Sequence, residues 1–451
     1  MASPDLFDIF HLYQQVAVAG VLEYFQKQAG QRSRRGIYSL GVVFWLMILQ
    51  RLQPKGTLAT AVQQLGQGMA DGLLPDCKRV RQRKISPRTG GYCQARQKMP
   101  KLVAERVTDE IVEQLRQQIT LPFRGVDRAV FLLDGTTLQL EHSRELARCY
   151  PAGGNQHGPY HWPLLRLLVL HDVGSGLAQR PCWGPANGAE AVSEQALVSQ
   201  AIEQLPAGAI VMGDRNFGVF SVAYAAQQRQ HPVLLRLTDV RARKLAGPIA
   251  RAGAYAVTWK PSYWDGKGHS RKKDPKDWPP EAAVTGQVVA WQIGRGKSKS
   301  WLYLFSTVEL PAKELVELYG HRWNIETDLR SLKRTVQLHH MTSKTVDTLE
   351  KELLVAISAY NLVRAVMCLA ARRTNQDPRQ LSFTQVLNVV NGAWPRLIGA
   401  RTAQQHHQEF QRVLDFAALC TLPKRPKKRR YPREVWGRGY RFPTRHPEKT
   451  K

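Results

Sequence analysis

The chain has 451 residues, 43% hydrophobic and 22% charged, which is typical of a soluble globular protein with two or three domains. Lys and Arg total 65 against 36 Asp and Glu, and the resulting charge of +29 predicts a polyanionic partner, most often nucleic acid. A membrane protein, a secreted disulfide protein and a zinc protein are disfavoured. The longest apolar run (37–49) is too short to cross a bilayer, the six cysteines form no C-x-x-C pair, and the N-terminus has no secretory pattern.

Residues 1–125 carry helical patterns separated by basic connectors. Apolar residues recur at three- and four-residue spacing in 58–65 and 102–115, which predicts two amphipathic helices. The run at 37–49 predicts a buried helix. The segment CKRVRQRKISPRTGGYCQARQK is strongly basic and contains the helix breakers Pro87 and Gly90. We therefore expect a helical DNA-binding domain over 1–125, although a solvated cationic loop explains the charges equally well.

From about residue 126 the pattern changes to short apolar runs, at 129–133, 164–170, 209–212 and 233–237, with a helical pattern at 219–230. Strands that alternate with helices predict an α/β layer with a covered sheet. Two of these runs end at an aspartate, Asp134 in FLLDGTT and Asp214 in IVMGDRNFG. Strand ends are where ligand-binding groups collect in α/β sheets, although an aspartate that opens a turn is the commoner explanation for either residue alone.

Residues 238–308 interrupt this pattern. They are rich in Lys, Gly, Pro and Trp, and their strand-like runs at 254–259, 286–293 and 300–306 predict a β-rich insertion. A helix is expected to start near Pro311 and a buried helix to cover 351–375. The insertion would thus divide an α/β core into the parts 126–237 and 309–375. A helical C-terminal region with a basic, extended tail from 421 would complete the chain over 376–451.

The stretch YGHRWNIETDLRSLK at 319–333 has an unusual distribution of polar residues. On an α-helix with 100° per residue, its Tyr, Arg, Glu and Lys fall within an arc of about 60°; these residues are Tyr319, Arg322, Glu326 and Lys333. Glu326 is the one carboxylate on that face. A structural explanation is also available, because Glu326 has a cation four residues away on each side and could simply form an ion pair.

Two strand-end aspartates and one helical glutamate are the acids that two-metal phosphoryl chemistry requires. Two Mg²⁺ ions about 3.5–4 Å apart can hold the attacking and leaving oxygens of an in-line displacement. Mg²⁺ prefers carboxylate oxygens, retained waters and substrate phosphate, so that few protein ligands suffice. The Arg and Lys on the same helical face would then bind DNA phosphates.

These motifs together resemble a known family. The Y-x2-R-x3-E-x6-K pattern is similar to the Y-R-E-K signature of insertion-sequence transposases of the IS4 group, in the DDE superfamily. FLLDGTT and GDRNFG resemble the regions that carry the two catalytic aspartates of that family, in the same order. The 111 residues between Asp214 and Glu326 match the place where such enzymes insert a β-rich segment into an RNase H-like core. The basic segment around TGGYCQARQKM resembles their DNA-binding part, and the resemblance covers most of 40–370.

The resemblance implies a catalytic, metal-binding triad of Asp134, Asp214 and Glu326, with Mg²⁺ as the cofactor and Mn²⁺ as a plausible substitute. Tyr319, Arg322 and Lys333 would contact phosphates at the transposon end. The implied reaction is cut-and-paste DNA transposition through a DNA hairpin. The implied partners are double-stranded DNA with terminal inverted repeats, target DNA and a second copy of the chain on paired ends. The expected location is the bacterial cytoplasm, on the nucleoid.

Further DNA contacts are expected around the triad. In the family, an aromatic residue of the insertion stacks on a flipped base, and indole provides a good stacking surface. Trp301 is the candidate for this role. Its rivals are Trp259, Trp264 and Trp291, and each of the four could instead be a core residue. Arg215 would contact phosphate or form an ion pair with Asp214.

Three alternative functions remain open at the level of the sequence. A non-transposing, metal-dependent nuclease could use the same core. A catalytically inert, basic DNA-binding protein would explain the charge alone. A tyrosine recombinase with Tyr319 as the nucleophile is disfavoured, because a carboxylate triad would then have no role.

Overall fold

The computed structural model describes residues 13, 24, 36–54, 56–74, 77–119, 126–155, 158–262, 278–294, 300–339, 341–400 and 402–423. Trp264 and the basic tail beyond residue 423 lie outside these residues. The helices are α1 Leu40–Leu52, α2 Leu58–Gly66, α3 Lys78–Arg81, α4 Gly90–Lys98, α5 Lys101–Ile119, α6 Arg144–Cys149, α7 Glu194–Ile202, α8 Phe220–Gln228, α9 Asp239–Ala246, α10 Ala312–Gly320, α11 Asn324–Arg330, α12 Val346–Arg373, α13 Phe383–Gly399 and α14 Ala403–Leu419. The strands are β1 Val130–Gln139, β2 Gly154–Asn155, β3 Gly158–Pro159, β4 Leu164–Asp172, β5 Cys182–Pro185, β6 Ile210–Gly213, β7 Val233–Arg236, β8 Gly253–Trp259, β9 Val284–Ile293 and β10 Ser300–Ser306.

The helices at the two ends of the described chain share one apolar core around α12. Helices α1, α5, α13 and α14 all pack against α12. Every residue of α1 except Gln50 is buried, so the predicted buried helix is confirmed. Helix α12 is long and apolar enough to cross a membrane, but 94% of its most apolar window is buried inside the protein. It is therefore a core helix, as predicted for this part of the chain.

Buried charges fasten the N-terminal helices to α12. The Glu352 carboxylate of α12 accepts hydrogen bonds from Arg96 of α4 and from Arg51 of α1, the latter at 2.8 Å. The Lys351 ammonium group donates to the carbonyl oxygens of Arg96 and Met99 at 2.9 and 2.8 Å, at the C-terminus of α4. Cations near a helix C-terminus are favourable because the last carbonyl groups carry partial negative charge. Arg96, in the segment predicted to bind DNA, thus has a structural role.

The eight-stranded sheet has the order β5-β4-β1-β6-β7-β10-β9-β8. In its first five strands, β5, β4 and β1 are joined by antiparallel pairing, and β1, β6 and β7 by parallel pairing. This order and these directions are those of an RNase H-like core. The predicted α/β fold class is therefore confirmed.

The three strands of the predicted insertion extend this same sheet. Strand β10 pairs antiparallel with β7, β9 with β10, and β8 with β9. Each strand lies within two residues of the run predicted for it. The segment therefore continues the core sheet through β7, and the division of the chain into five domains stays a prediction.

Alternate residues of β1 face two different layers of helices. Phe131 and Leu133 belong to the apolar cluster that includes α7 and α8. Val130 and Leu132 belong to the opposite cluster, with α10 and α11. Because side chains alternate along a strand, Asp134 is on the same face as Leu132, toward α10 and α11.

One strand boundary was predicted wrongly. Strand β1 does not end before Asp134 but continues to Gln139, because the residues from Leu133 onward still pair with the long antiparallel strand β4. The parallel pairing with β6 covers only Val130–Leu132. Asp134 therefore lies within a strand, yet beyond the end of the parallel part of the sheet.

Candidate active site

The two aspartates follow the parallel pairing of two central strands, at its carboxyl-terminal end. Strands β1 and β6 run parallel, and Leu132 pairs with Met212. Asp134 comes two residues after Leu132, and Asp214 comes two residues after Met212, directly after β6. Because this register places Asp134 level with Asp214, the two aspartates lie side by side just beyond the parallel pairing of β1 and β6.

Burial, together with acidic neighbours, raises the pKa of Asp134. Burial raises the pKa of Asp134 to about 7; the Gly135 N–H, which donates to Oδ1 at 2.9 Å, opposes this shift. Asp214 and Glu194 raise the pKa further by like-charge repulsion, and the Arg322 guanidinium lowers it. Asp214 and Arg322 thus lie close enough to Asp134 to affect its pKa.

The turn after β6 holds the second aspartate. The backbone N–H of Asn216 donates to Asp214 Oδ1 at 2.8 Å, the geometry of an aspartate that closes its own turn. Arg215 between them is exposed, and in the described part of the chain it forms no ion pair with a carboxylate. Its proposed contact with DNA phosphate stays a prediction.

The signature segment is not one continuous α-helix, which corrects the helical-wheel argument. Helix α10 ends at Gly320, a 3₁₀ turn covers His321–Trp323, and a π-helical turn at Ser331–Thr335 follows α11. A 3₁₀ turn advances by about 120° per residue, so the wheel is out of phase from there on. Tyr319 is 6% exposed in an apolar cluster, whereas the Glu326 side chain is 49% exposed. Tyr319 therefore packs into the apolar cluster whereas Glu326 is open to solvent, and Arg322 lies close to both. π-Helical turns such as the one after α11 occur frequently at functional sites.

Arg322 connects the signature segment to the first aspartate. Its Nη2 lies 3.3 Å from Glu326 Oε1, which is the four-residue ion pair considered from the sequence. The same guanidinium acts on the pKa of Asp134. A second link is made by Lys333, whose Nζ donates to Thr136 Oγ1 on β1 at 2.5 Å. Both cations of the signature thus reach toward the strand that carries Asp134.

Tyr319 lies on the inner side of the same end of the sheet. Burial raises the pKa of its phenol to about 12, Arg322 and Arg236 oppose this shift, and Asp214 adds to it. The phenol is therefore near the end of β7 and near the second aspartate. It is neutral at physiological pH.

The structure separates the tryptophan candidates. Leu304 of β10 pairs with Arg236, the last residue of β7. Trp301 comes three residues before Leu304 on an antiparallel strand, so it lies beyond the end of β7, at the end of the sheet that carries the aspartates. Trp301 is half-buried and stacks on Tyr303 with ring centroids 6.1 Å apart. Trp259 is buried in the apolar core, and Trp291 is half-buried.

One aromatic residue was missed from the sequence. Trp323 is 64% exposed, and the Arg322 guanidinium lies over its ring, 4.4 Å from the centroid. Its position directly after the signature arginine was the available signal. The prediction overlooked it because it followed only the four signature positions.

A second missed residue is Glu194, the first residue of α7. Its carboxylate accepts a hydrogen bond from Asn216 and raises the pKa of Asp134. The available signal was a helix start, since Ser193 accepts from the Ala196 N–H as an N-cap. That pattern predicts a helix but says nothing about what the helix end touches.

The donor set suits a divalent cation. Crowded carboxylates provide the hard oxygen ligands that Mg²⁺ and similar ions prefer, and a cation beside Asp134 would offset both its burial and its repulsion by Asp214. Among the described residues, no three His, Cys, Asp or Glu side chains are grouped closely enough to hold a metal. Glu326, which is paired with Arg322, therefore does not form a group of three ligands with the two aspartates in this arrangement of the described residues.

Comparison with known proteins identifies the family. A family model described as a transposase DDE domain matches residues 126–362, more than half of the chain and the part that carries all three acids. The chain belongs to the DDE transposase family. It is a DNA transposase, an enzyme that binds DNA and cleaves and transfers DNA strands with the help of divalent metal ions. Family membership decides against an inert DNA-binding protein and against a tyrosine recombinase.

Two individual proteins are similar to this transposase. The transposase InsG for insertion sequence element IS4 of Escherichia coli (strain K12) is 25% identical over 420 residues, which cover 90% of this chain and 87% of the relative. This match and the family model confirm the predicted IS4-type resemblance. A cryo-EM structure of the piggyBac transposase synaptic complex with hairpin DNA aligns with a TM-score of 0.43 and 10% identity, over 94% of this chain and 88% of that chain.

Proposed function

We propose that this transposase moves its element by cut-and-paste transposition, with Asp134, Asp214 and Glu326 as the ligands of two Mg²⁺ ions. The observation that carries the proposal is the strand register that places Asp134 beside Asp214, with Arg322, the ion-pair partner of Glu326, close enough to lower the pKa of Asp134. Mn²⁺ is expected to substitute, since it accepts the same oxygen ligands. The bound metal would activate the attacking oxygen and stabilise the leaving one.

The residues of the chain have distinct roles in this proposal. The two aspartates present fixed carboxylates, and Glu326 turns from Arg322 toward them when DNA arrives. Arg322 and Lys333 then bind phosphate oxygens, for which a guanidinium offers two parallel donors. Arg215 and the Tyr319 hydroxyl add contacts at the transposon end.

Four displacements at phosphorus complete the proposed reaction. Water attacks the phosphodiester at the element's end and releases a 3′-hydroxyl. That hydroxyl attacks the opposite strand, which closes a hairpin and frees the flanking DNA. A second water opens the hairpin, and the regenerated 3′-hydroxyl attacks target DNA. We propose that one tryptophan near the site, the half-buried Trp301 or the exposed Trp323, stacks on the base that leaves the helix at the hairpin.

The assembly and location are also part of the proposal. Two copies of the chain would hold paired transposon ends on terminal inverted repeats, in the bacterial cytoplasm and on the nucleoid. The charge of +29 supports extensive phosphate contact. Each phosphate neutralised should add about −0.9 to the log–log slope of DNA affinity against salt.

The triad is tested by cleavage of a duplex that carries the inverted repeats found beside the gene. Asp134→Asn, Asp214→Asn and Glu326→Gln should each abolish Mg²⁺-dependent nicking and leave DNA binding nearly intact, because each removes one metal ligand. Glu317→Gln is the matched control, since Glu317 is exposed on α10 and pairs only loosely with Lys313. Normal cleavage by any of the three variants would rule out the proposed triad.

A further inference from the structure

Glu194 lies unusually close to the backbone that carries the first aspartate. A Cβ atom placed on Gly135 would be 2.2 Å from the Cδ atom of Glu194. Real atoms do not approach so closely, so glycine at 135 leaves the space that the carboxylate occupies. The side chain is 18% exposed, which means that most of it is packed in this space.

The same carboxylate holds the turn that carries the second aspartate. Asn216 Nδ2 donates to Glu194 Oε2 at 2.6 Å, and the backbone N–H of Asn216 donates to Asp214 Oδ1 at 2.8 Å. Gln195 Nε2 also donates to the backbone and side-chain oxygens of Asn216, each at 2.8 Å. The first two residues of α7 therefore hold Asn216 by hydrogen bonds, and the Asn216 backbone N–H in turn orients the Asp214 carboxylate.

The position of Glu194 favours an indirect role. Gly135 alternates with Asp134 along β1, so Glu194 approaches from the α7 face of the sheet, whereas Asp134 is on the face of α10 and α11. Arg166 Nη1 lies 3.7 Å from Glu194 Oε1 and partly balances its charge. A charged acceptor makes a stronger hydrogen bond to the Asn216 amide than a neutral one would.

We propose that Glu194 is a positioning residue, which holds Asn216 and thereby fixes the Asp214 carboxylate beside Asp134. This inference rests on the proposed role of the two aspartates in metal binding. Residues that hold metal ligands in place commonly contribute about 10–100-fold to metal affinity or activity. Glu194 would thus contribute to metal binding indirectly, through Asn216, without contacting the DNA.

The test measures the Mn²⁺ dependence of nicking and, independently of activity, Mn²⁺ binding to the full chain by calorimetry. Glu194→Ala should raise the Mn²⁺ concentration for half-maximal nicking about 10–100-fold and weaken Mn²⁺ binding similarly. DNA affinity should be unchanged. Glu194→Gln keeps an oxygen acceptor for Asn216 and should show a smaller shift.

Two further variants test whether the effect passes through Asn216. Asn216→Ala should reproduce the Glu194→Ala shift, and the double variant should be no worse than either single one, because coupled residues are not additive. Gly135→Ala should give the same shift by displacing the carboxylate, which covers the case that Glu194→Ala does not fold. Glu203→Ala is the control, since that carboxylate is exposed and pairs with Arg229.

Either of two results would overturn the inference. Wild-type Mn²⁺ dependence in Glu194→Ala and Gly135→Ala would show that Glu194 positions nothing. An equally large loss in Glu194→Ala and Glu194→Gln, with Asn216→Ala normal, would make Glu194 a direct ligand instead. Failure of the proposed function is distinguishable from both, because Asp134→Asn would then cleave normally.

Discussion

The two halves of the site are built differently. Asp134 and Asp214 are held by adjacent parallel strands, and each accepts a hydrogen bond from a backbone N–H one or two residues further on. Glu326 lies on the seven-residue helix α11, between a 3₁₀ turn and a π-helical turn, and its side chain is half-exposed. The backbone hydrogen bonds between paired strands fix the positions of the two aspartates. The position of a short helix such as α11 depends instead on the contacts made by its opposite side.

The anchor of α11 is a buried ion pair on the side away from Glu326. Arg379 Nη1 lies 2.5 Å from Asp328 Oδ2, and the same guanidinium donates to the carbonyl oxygens of Asp172 and Val173 at 2.6 and 2.9 Å. Burial alone would raise the pKa of Asp328, but Arg379 and Arg364 hold it below its ordinary value. Helix α11 is thus fastened to the end of β4, while the side that carries Glu326 faces solvent.

The largest expected effect comes from breaking this anchor with Arg379→Met. The Asp328 carboxylate would remain buried without its partner, which typically costs about 3–5 kcal/mol. Cleavage should fall with stability, because α11 would no longer be held at the site. Denaturant unfolding and the nicking assay measure both effects.

The matched control for that variant is Arg373→Met, which removes a partly exposed ion pair with Asp415 and should cost about 0–1 kcal/mol. If the two variants lost the same stability, the Asp328–Arg379 pair would not be an anchor.

The next largest effect concerns the half of the site that is carried by the strands, and it depends on the charge of Asp134. The folded pKa of Asp134 is about 7, above its ordinary value of 3.8. A raised acid pKa stabilises the fold fully below the unfolded pKa, and this contribution is lost as pH rises through 7. Since one pKa unit is worth about 1.4 kcal/mol, Asp134→Asn should be more stable than the wild type at pH 8 by up to about 4 kcal/mol.

Melting temperatures at pH 3.5 and 8, measured in EDTA, check this expectation. Asp134→Asn should melt higher than the wild type at pH 8 and close to it at pH 3.5. Added Mg²⁺ should close the gap at pH 8, because a ligand of the folded state stabilises the wild type. Parallel curves for the two proteins at all pH values would contradict the raised pKa of Asp134.

The smallest effect concerns which half of the site holds a flipped base. Trp301 belongs to the sheet and Trp323 to the signature segment, and loss of a stacked base costs about 1–3 kcal/mol. Replacement of the stacking residue by Ala should reduce hairpin yield by about 5–150-fold at a normal rate of first nicking. Gel analysis of hairpin and nicked products measures this.

Phe416→Ala is the control for hairpin formation, since Phe416 is an exposed aromatic residue on α14, outside the sheet. Normal hairpin yield in both Trp301→Ala and Trp323→Ala would exclude base stacking by either residue.

Local patterns predicted much of the fold because the strands and long helices follow hydrophobic periodicity. The runs that became β4, β6, β7 and β10, and the helices α1, α5 and α12, were all predicted close to their observed positions. The end of β1 was not, because its pairing with β4 continues past the apolar run. The pairing of a strand with its neighbour is a tertiary property. Here this pairing, and not the change from apolar to polar residues at Asp134, decided where β1 ends.

The sequence by itself determined the chemistry of this protein. The basic charge, the two aspartates that follow apolar runs and the spacing of the signature residues follow from residue type and order, and their resemblance to the motifs of IS4-group transposases indicated a metal-dependent DNA transposase. Only the tertiary structure decided how these groups are held. The Glu194–Asn216 hydrogen bond and the Asp328–Arg379 ion pair join residues 22 and 51 positions apart, respectively. Such contacts depend on how helices dock on the sheet, because a helical or strand period fixes only which way a side chain points and not what it meets.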